Sequence, residues 1–372
     1  MKKPIYIFLA VITIVASFAG CTTNAKPSGT PATIPNGYSI GFTISDLGDG
    51  FKKLTDGEGQ EFLLVPEGKS VPAGYENATT VTVPVKKAVI LSVTFATLMR
   101  PLGVTNSIVG SGTLEKELYL EELKSAYARG QVTYVGGGNM GAPDFEAIQL
   151  LKPDVVFCST GYPDAVEYYN KMKSAGLTVV VVNDYLETDP LARLEWIKFI
   201  GAFYGKTREA TGYFNTVESN INEIKQKTMV LSYAPSVLWG SIFMGTVYVS
   251  GADSYVAKWI SAAGGNYLFS DLKGTSSNTI NLEELYARAK PANVFIYAST
   301  PPYINSIKEI VDNGPVLADV PLIQQGQVYC LQPWFYQTAD KPDEVAKDLA
   351  AIFHPNLYPG YTVKHFMLLP EK

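Results

Sequence analysis

Two histidines, His354 and His365, are all the imidazole this chain contains, and both stand near its C-terminus. A tight zinc or manganese site usually draws several imidazoles, which suit those ions. Direct capture of a bare transition ion in a central cleft is therefore not expected, and no residue is assigned as a metal ligand. The same shortage argues against a Ser–His or Cys–His nucleophile pair. No H-E-x-x-H or G-x-x-x-x-G-K-[ST] occurs, and no catalytic residue is assigned. His354 reads as the cap of the last helix. Gly136-Gly-Gly138-Asn-Met140-Gly141 satisfies G-x-G-x-x-G after a strand. A dinucleotide fingerprint needs its helix to begin inside the motif, so that the helix N-terminus meets the pyrophosphate. Here Pro143 or Asp144 is the natural helix start. The run reads instead as a flexible strand-to-helix loop whose backbone, with Met140, can approach a ligand.

Aromatic side chains are the abundant resource: 23 Tyr, 17 Phe and 4 Trp. Several fall where a strand ends and its loop begins, namely Tyr162, Trp239, Tyr297, Trp334 and Tyr336. Open α/β sheets bind ligands outside the carboxyl ends of their strands. Aromatic faces with hydroxyl tips suit a large, partly apolar ligand with polar edges.

The elements that position these residues are organised around a stretch used twice. Glu146-Ala-Ile-Gln-Leu-Leu-Lys152-Pro153-Asp-Val-Val-Phe157 returns as Glu284-Leu-Tyr-Ala-Arg-Ala-Lys290-Pro291-Ala-Asn-Val-Phe295. Each copy reads as helix, break and buried strand, because proline cannot continue a helix interior and the apolar run that follows is bounded by polar residues. Two such units imply two α/β lobes of similar build. Around the first copy, Ala88–Val93, Ser107–Gly110, Thr133–Val135 and Thr178–Asn183 read as further strands, with a helix over Phe95–Leu102. Around the second, strands are expected at Ser236–Gly240, Thr246–Ser250 and Gln327–Leu331, with helices at Tyr255–Ala263, Ile304–Asp312 and Asp343–Phe353. This alternation argues for parallel sheets covered on both faces. Asp189-Pro190 opens a helix as cap and first residue. Beyond it, Ala210, Tyr213, Phe214, Val217, Ile221 and Ile224 recur at helical spacing. That segment, capped by Thr207, reads as one long strut between lobes.

The N-terminus carries a different signal. Lys2-Lys3 precede an apolar run from Ile5 to Val15, about half the length of a membrane span. Phe18-Ala19-Gly20-Cys21 follows. This resembles a lipoprotein signal peptide, which implies cleavage before Cys21 and a lipid anchor on its sulfur. The chain then divides into a signal peptide (1–20), a small, polar, flexible tether (21–37), a Gly-punctuated β segment (38–84), a first lobe (85–205), the strut (206–228) and a second lobe (229–372). Asn77-Ala-Thr is a glycosylation sequon in the β segment. Net charge is −5 and no basic run occurs, so nucleic acid is not expected as a partner. Cys158 and Cys330 each end an apolar strand in different lobes and read as small buried hydrophobes, not as a disulfide.

Taken together the motifs resemble a family: the extracytoplasmic substrate-binding proteins of ABC importers for iron–siderophore, haem and cobalamin. The residues that carry the resemblance are the first Lys152-Pro-Asp run, Glu187-Thr-Asp-Pro-Leu191 with Glu195-Trp-Ile-Lys-Phe199, Ser250-Gly-Ala-Asp-Ser-Tyr255 with Ala263-Gly-Gly265, and Lys290-Pro291. The ending Lys341-Pro-Asp-Glu344 with His354-Pro355 matches as well. Coverage runs from about Val85 to Tyr361. The resemblance implies two Rossmann-like α/β lobes joined by a single long helix, closing only modestly on a ligand. It implies a lipid-anchored monomer on the outer face of the cell membrane. That monomer needs no cofactor of its own and passes an iron chelate, haem or corrinoid to a permease and its ATPase. By motif position Glu146 and Glu284 would dock on permease arginines. Pro-Ala-Asn in the second copy departs from Pro-Asp-Val in the first. The rival reading is an exported enzyme using the same cleft.

Overall fold

The computed structural model describes residues 32–138, 141–301 and 303–372. Cys21 and Met140 lie outside the described residues. Three sheets follow one another along the chain. The first contains β1 (Ala32–Ile34), β2 (Thr43–Gly48), β3 (Phe51–Thr55), β4 (Glu61–Pro66) and β5 (Thr79–Val83), in that spatial order. The β3–β4 hairpin turns through Asp56–Gln60, where the Gly-rich stretch predicts it. The tether expected to reach Gly37 is shorter than predicted. Ala32–Ile34 already pairs with β2, because the unremarkable Ala-Thr-Ile finds a strand edge only after the sheet forms.

The second sheet comprises β6 (Ala88–Ile90), β7 (Ile108–Ser111), β8 (Thr133–Tyr134), β9 (Val155–Cys158) and β10 (Val179–Val181). Its order is β10-β9-β6-β7-β8 and every pairing is parallel. β6, β9 and β10 are buried at every position, as strands covered by helices on both faces must be. The third sheet contains β11 (Ser236–Phe243), β12 (Thr246–Ser250), β13 (Asn266–Tyr267), β14 (Ser277–Ile280), β15 (Val294–Tyr297), β16 (Val328–Leu331) and β17 (Phe366–Leu368). Its order is β14-β12-β11-β15-β16-β17, with β13 beside β11. The central strands β11, β15 and β16 are parallel, and both edges are antiparallel.

Two helices, Pro190–Ala202 and Thr207–Thr228, lie between the two α/β sheets in sequence; the second is about 33 Å long at 1.5 Å per residue. Ala210, Phe214, Val217, Ile221 and Ile224 form its buried stripe. Thr207 is its first helical residue and not its cap; Lys206 holds the cap position without a side-chain bond. The preceding helix Pro190–Ala202 is buried almost all round. The reason is the N-terminal sheet: Phe42 lies 4.7 Å from the Trp196 ring and 5.3 Å from Phe199, and Phe62 lies against Phe203. The helix's Glu195 and Lys198 are buried as an ion pair among apolar residues packed all round it. The Asp189 side chain caps it by accepting from the Leu191 amide, with Pro190 at the first position, as the sequence predicts.

The lobes also meet along a strap beside the long helix. The Arg100 guanidinium makes a two-pronged ion pair with Asp340 at 2.6 and 3.0 Å. Gln337 accepts from the Tyr119 amide and donates to the Glu117 carbonyl. Tyr213 on the long helix donates to the Asp340 carbonyl. Cys158 and Cys330 are free and buried in separate sheets, and burial pushes both thiols up. His354 ends the helix Pro342–Phe353, its ring bonded to the Gly264 carbonyl.

Candidate functional site

The carboxyl ends of the second sheet's strands surround a cavity of about 260 Å³. After β6 come Leu91, Ser92, Val93 and Thr94; after β7, Thr113; after β8, Gly137 and Gly138; after β9, Ser159 and Tyr162; after β10, Tyr185. The glycines are needed for close approach. A Cβ on Gly138 would stand 2.0 Å from the Gly112 carbonyl oxygen, so two backbone loops touch at the cavity floor. Gly136–Gly138 is thus closely packed, with a bridge from Gly136 to Pro143. The helix begins at Phe145, capped by Asp144, where no pyrophosphate could meet the motif. Burial raises the hydroxyls of Tyr162 and Tyr185 above the ordinary tyrosine value, so both stay neutral donors at physiological pH.

A second cavity of about 150 Å³ opens at the carboxyl ends of β11, β15 and β16. Trp239, Ser241, Tyr248, Ser250, Tyr255, Ser277 and Tyr336 supply its polar and aromatic walls. The two halves are joined by a charged bridge. Arg193 donates to Asp184 at 3.1 Å, next to Tyr185 of the first cavity, and its guanidinium lies 4.5 Å from the ring centroid of Tyr255 in the second. The Arg193 Nε and Asp184 Oδ1 are buried without a hydrogen-bond partner among the described residues. Among the described residues, none that lines either half carries a formal charge. Among the described residues no group of three or more His, Cys, Asp or Glu is arranged to hold a metal.

Of the aromatics singled out by sequence, Tyr162 lines the first half, and Trp239 and Tyr336 line the second. Trp239 is also core, 5.8 Å from Phe366 and 6.3 Å from Phe335. Tyr297 lines neither half. It is buried, and its hydroxyl is spent on the backbone N–H and C=O of Ile242. Its position on β15 points the ring into the sheet's packing, which strand ends alone do not reveal. Trp334 faces a separate flank beside the strap, edge-on to Tyr119. Sequence reasoning did not single out Tyr185, Tyr255 or Arg193, which stand at the same cavities. The first two follow the same strand-end rule as Tyr162 and were legible by it; Arg193 acts from within a helix and had no such signal.

The repeated glutamates occupy different cap positions. Glu146 is exposed, two residues after the capping Asp144. Glu284 lies three residues after the capping Asn281, is half-buried and pairs with Arg288 at 2.7 Å. The helix Leu282–Ala289 is one residue longer than Phe145–Leu151. Alignment on Lys-Pro therefore matches Glu146 with Glu284, whereas alignment on the caps matches it with the exposed Glu283.

The periplasmic binding protein family's profile matches residues 89–333. An uncharacterized lipoprotein of Methanocaldococcus jannaschii is 34% identical over 330 residues, covering 86% of this chain and 78% of that protein. Among solved structures, an ABC transporter substrate-binding protein from Listeria monocytogenes superposes with a TM-score of 0.56 at 20% identity, covering 73% of this chain and 99% of that one. A periplasmic haem-binding protein from Pseudomonas aeruginosa superposes with a TM-score of 0.59 at 18% identity, covering 73% and 93%. At such identities the structures share the fold.

Proposed function

Since the chain belongs to the periplasmic binding protein family, we propose that it captures a metal chelate, foremost an iron–siderophore, between its lobes and hands it to an ABC permease and ATPase. The family binds solutes and does not turn them over, so the rival reading of an exported enzyme is set aside. The observation that carries the ligand class is the chemistry of the two half-sites. Their walls offer hydroxyls, backbone groups and aromatic faces, with no carboxylate, imidazole, thiol or ammonium. Such walls recognise a large ligand by shape and hydrogen bonds, and they leave the metal's own coordination sphere to the chelator. A bare cation would find no ligand set there.

The test is calorimetric titration with four probes: a neutral ferric trihydroxamate, cyanocobalamin, hemin and free Zn²⁺. Binding of the trihydroxamate or the corrinoid is the expected result, accompanied by tryptophan quenching through Trp239. Hemin binding with a phenolate-to-iron absorption band would move the ligand to haem. Binding of Zn²⁺ alone would overturn the chelate class.

Delivery is assigned to the lobe tips. Glu146 is free to meet a permease arginine in charge-assisted geometry. In the second lobe Glu283 and Glu284 share that role, since Glu284 must first leave Arg288. Lipidation of Cys21 would hold the protein at the membrane, where the permease sits.

A further inference from the structure

The N-terminal sheet precedes the family match, which begins at residue 89, yet its β3–β4 turn reaches the ligand loops. Asp56 is 3% exposed. Its carboxylate accepts from the amides of Glu58 and Gln60 within the turn and from the Val181 amide of β10, at 2.9–3.0 Å. The Gly57 amide in turn donates to the Val181 carbonyl at 3.1 Å. Asp56 and Gly57 therefore occupy the open edge of β10, the outermost strand of its sheet. The approach is close: a Cβ on Gly57 would lie 3.1 Å from Asn183 Nδ2.

From that edge the turn extends one residue further. Thr160 donates its hydroxyl to the Glu58 carboxylate. The same hydroxyl accepts from Asn183 Nδ2 at 3.0 Å, and the Thr160 amide donates to Asn183 Oδ1 at 3.0 Å. Thr160 sits between Ser159 and Tyr162, which both line the first half-site. Asn183 leads into Asp184 and Tyr185, so the two loops tied together here carry Ser159, Tyr162 and Tyr185. Little slack remains, because a Cβ on Gly161 would stand 2.4 Å from the Tyr185 hydroxyl oxygen.

We propose that the turn Asp56–Gln60 of the N-terminal sheet is a positioning element of the ligand site, holding the loop Ser159–Tyr162 against the loop Asn183–Tyr185 through Glu58 and Thr160. Glu58 does not itself line the cavity; it acts through Thr160. The inference rests on the reading of this cleft as the ligand site. It makes the N-terminal sheet part of what decides which ligand fits, not a mere attachment.

Three variants test it: Glu58→Ala, Glu58→Gln and Thr160→Val. Hydrogen–deuterium exchange is read in the unliganded protein, and affinity is read by calorimetry with a neutral ferric trihydroxamate and with cyanocobalamin. Glu58→Ala should speed exchange across residues 159–163 and leave the second lobe unchanged. It should weaken probe binding about tenfold, the equivalent of one charge-assisted hydrogen bond. Glu58→Gln keeps an acceptor for the Thr160 hydroxyl and should restore both readouts towards wild type, which a general loss of stability would not do. Glu58→Ala combined with Thr160→Val should cost no more than Thr160→Val alone, which already removes the Glu58 bond together with the one from Asn183. Unchanged exchange in Glu58→Ala, or faster exchange with unchanged affinity, overturns the proposal. Failure of both probes on the wild-type protein counts against the chelate reading, while exchange still decides whether the turn holds the loop.

Discussion

Glu195 is fully buried, and its carboxylate gathers the amides of Gly37, Tyr38 and Ser39 at 2.8–2.9 Å together with the Lys198 ammonium at 2.7 Å. Burial by itself would raise its pKa, but Lys198 and the three amides outweigh it and the value falls below the ordinary one. A depressed carboxylate contributes stability that is complete above its unfolded pKa of about 4.3 and is lost as pH falls through the folded value. Glu195→Gln leaves Lys198 buried without its partner, so it should lower unfolding free energy at pH 7 by about 3 kcal/mol. The gap to wild type should narrow as pH drops from neutrality towards 3, which denaturant titrations at several pH values would measure; a constant gap would contradict the ionic account. Gly138→Ala tests the floor of the first half-site. Its new Cβ has no room beside the Gly112 carbonyl, so one loop must move. Destabilisation of about 1–3 kcal/mol should come with weaker binding of the trihydroxamate probe, read by thermal melts and calorimetry on the same preparation.

At the scale of elements, the lobes are held by more than the long helix. Asp340 is 1% exposed, and Arg100 is the cation that faces it. Burial raises the Asp340 pKa even with Arg100 in place. Arg100→Ala would leave that carboxylate buried and uncompensated, at a cost of about 3–5 kcal/mol at pH 7. Because the orphaned Asp340 would then take up a proton more readily, the deficit should shrink below pH 5. Denaturant titrations of the variant at pH 7 and pH 5 check this. Small-angle scattering of Arg100→Ala should also show a larger radius of gyration, since the strap through Gln337 and Asp340 is what fixes the lobes beside the long helix. No change in scattering would mean that the helix Thr207–Thr228 sets their spacing alone.

At the scale of the whole molecule, the proposed function puts capture and delivery on separate surfaces. The combined change Glu146→Ala, Glu283→Ala and Glu284→Ala should leave probe affinity intact while stopping uptake in vesicles that carry the importer. Loss of a buried interfacial partner costs about 2–5 kcal/mol. Restoring Glu283 and Glu284 one at a time then tells which cap position the second lobe uses. A collapse of ligand affinity in the triple variant would place these carboxylates in the binding site instead. Cys21→Ala should release the protein from membranes; normal membrane retention would reject the lipid anchor.

The fold class was legible because its determinants are local. Val155–Cys158 and Val179–Val181 lie in short, mostly β-branched apolar runs bounded by polar residues, as strands covered on both faces do. Lys-Pro breaks, Asp189-Pro190 and the stripe from Ala210 to Ile224 mark helix ends and one buried face without reference to anything distant. The site was legible only as a rule. Strand ends pointed to Tyr162, Trp239 and Tyr336, and the same rule selected Tyr297, whose hydroxyl is used by Ile242. Whether an aromatic at a strand end faces a cavity depends on the pleat of that strand and on what the neighbouring strand presents. That is a property of sheet register, which no single segment contains. The glutamates proposed to dock show the same limit: the repeat in sequence aligns Glu146 with Glu284, and one extra helical residue aligns it with Glu283. What the sequence determined by itself, then, was the kind of elements, their order and the two-lobed plan, since hydrophobic period and backbone breaks act over a few residues. Only the tertiary structure decided that Arg193 bridges the half-sites, that Gly138 must lack a side chain, and that a turn at Asp56–Gln60 holds Thr160. Each of these joins groups far apart in the chain, and their meeting is set by packing.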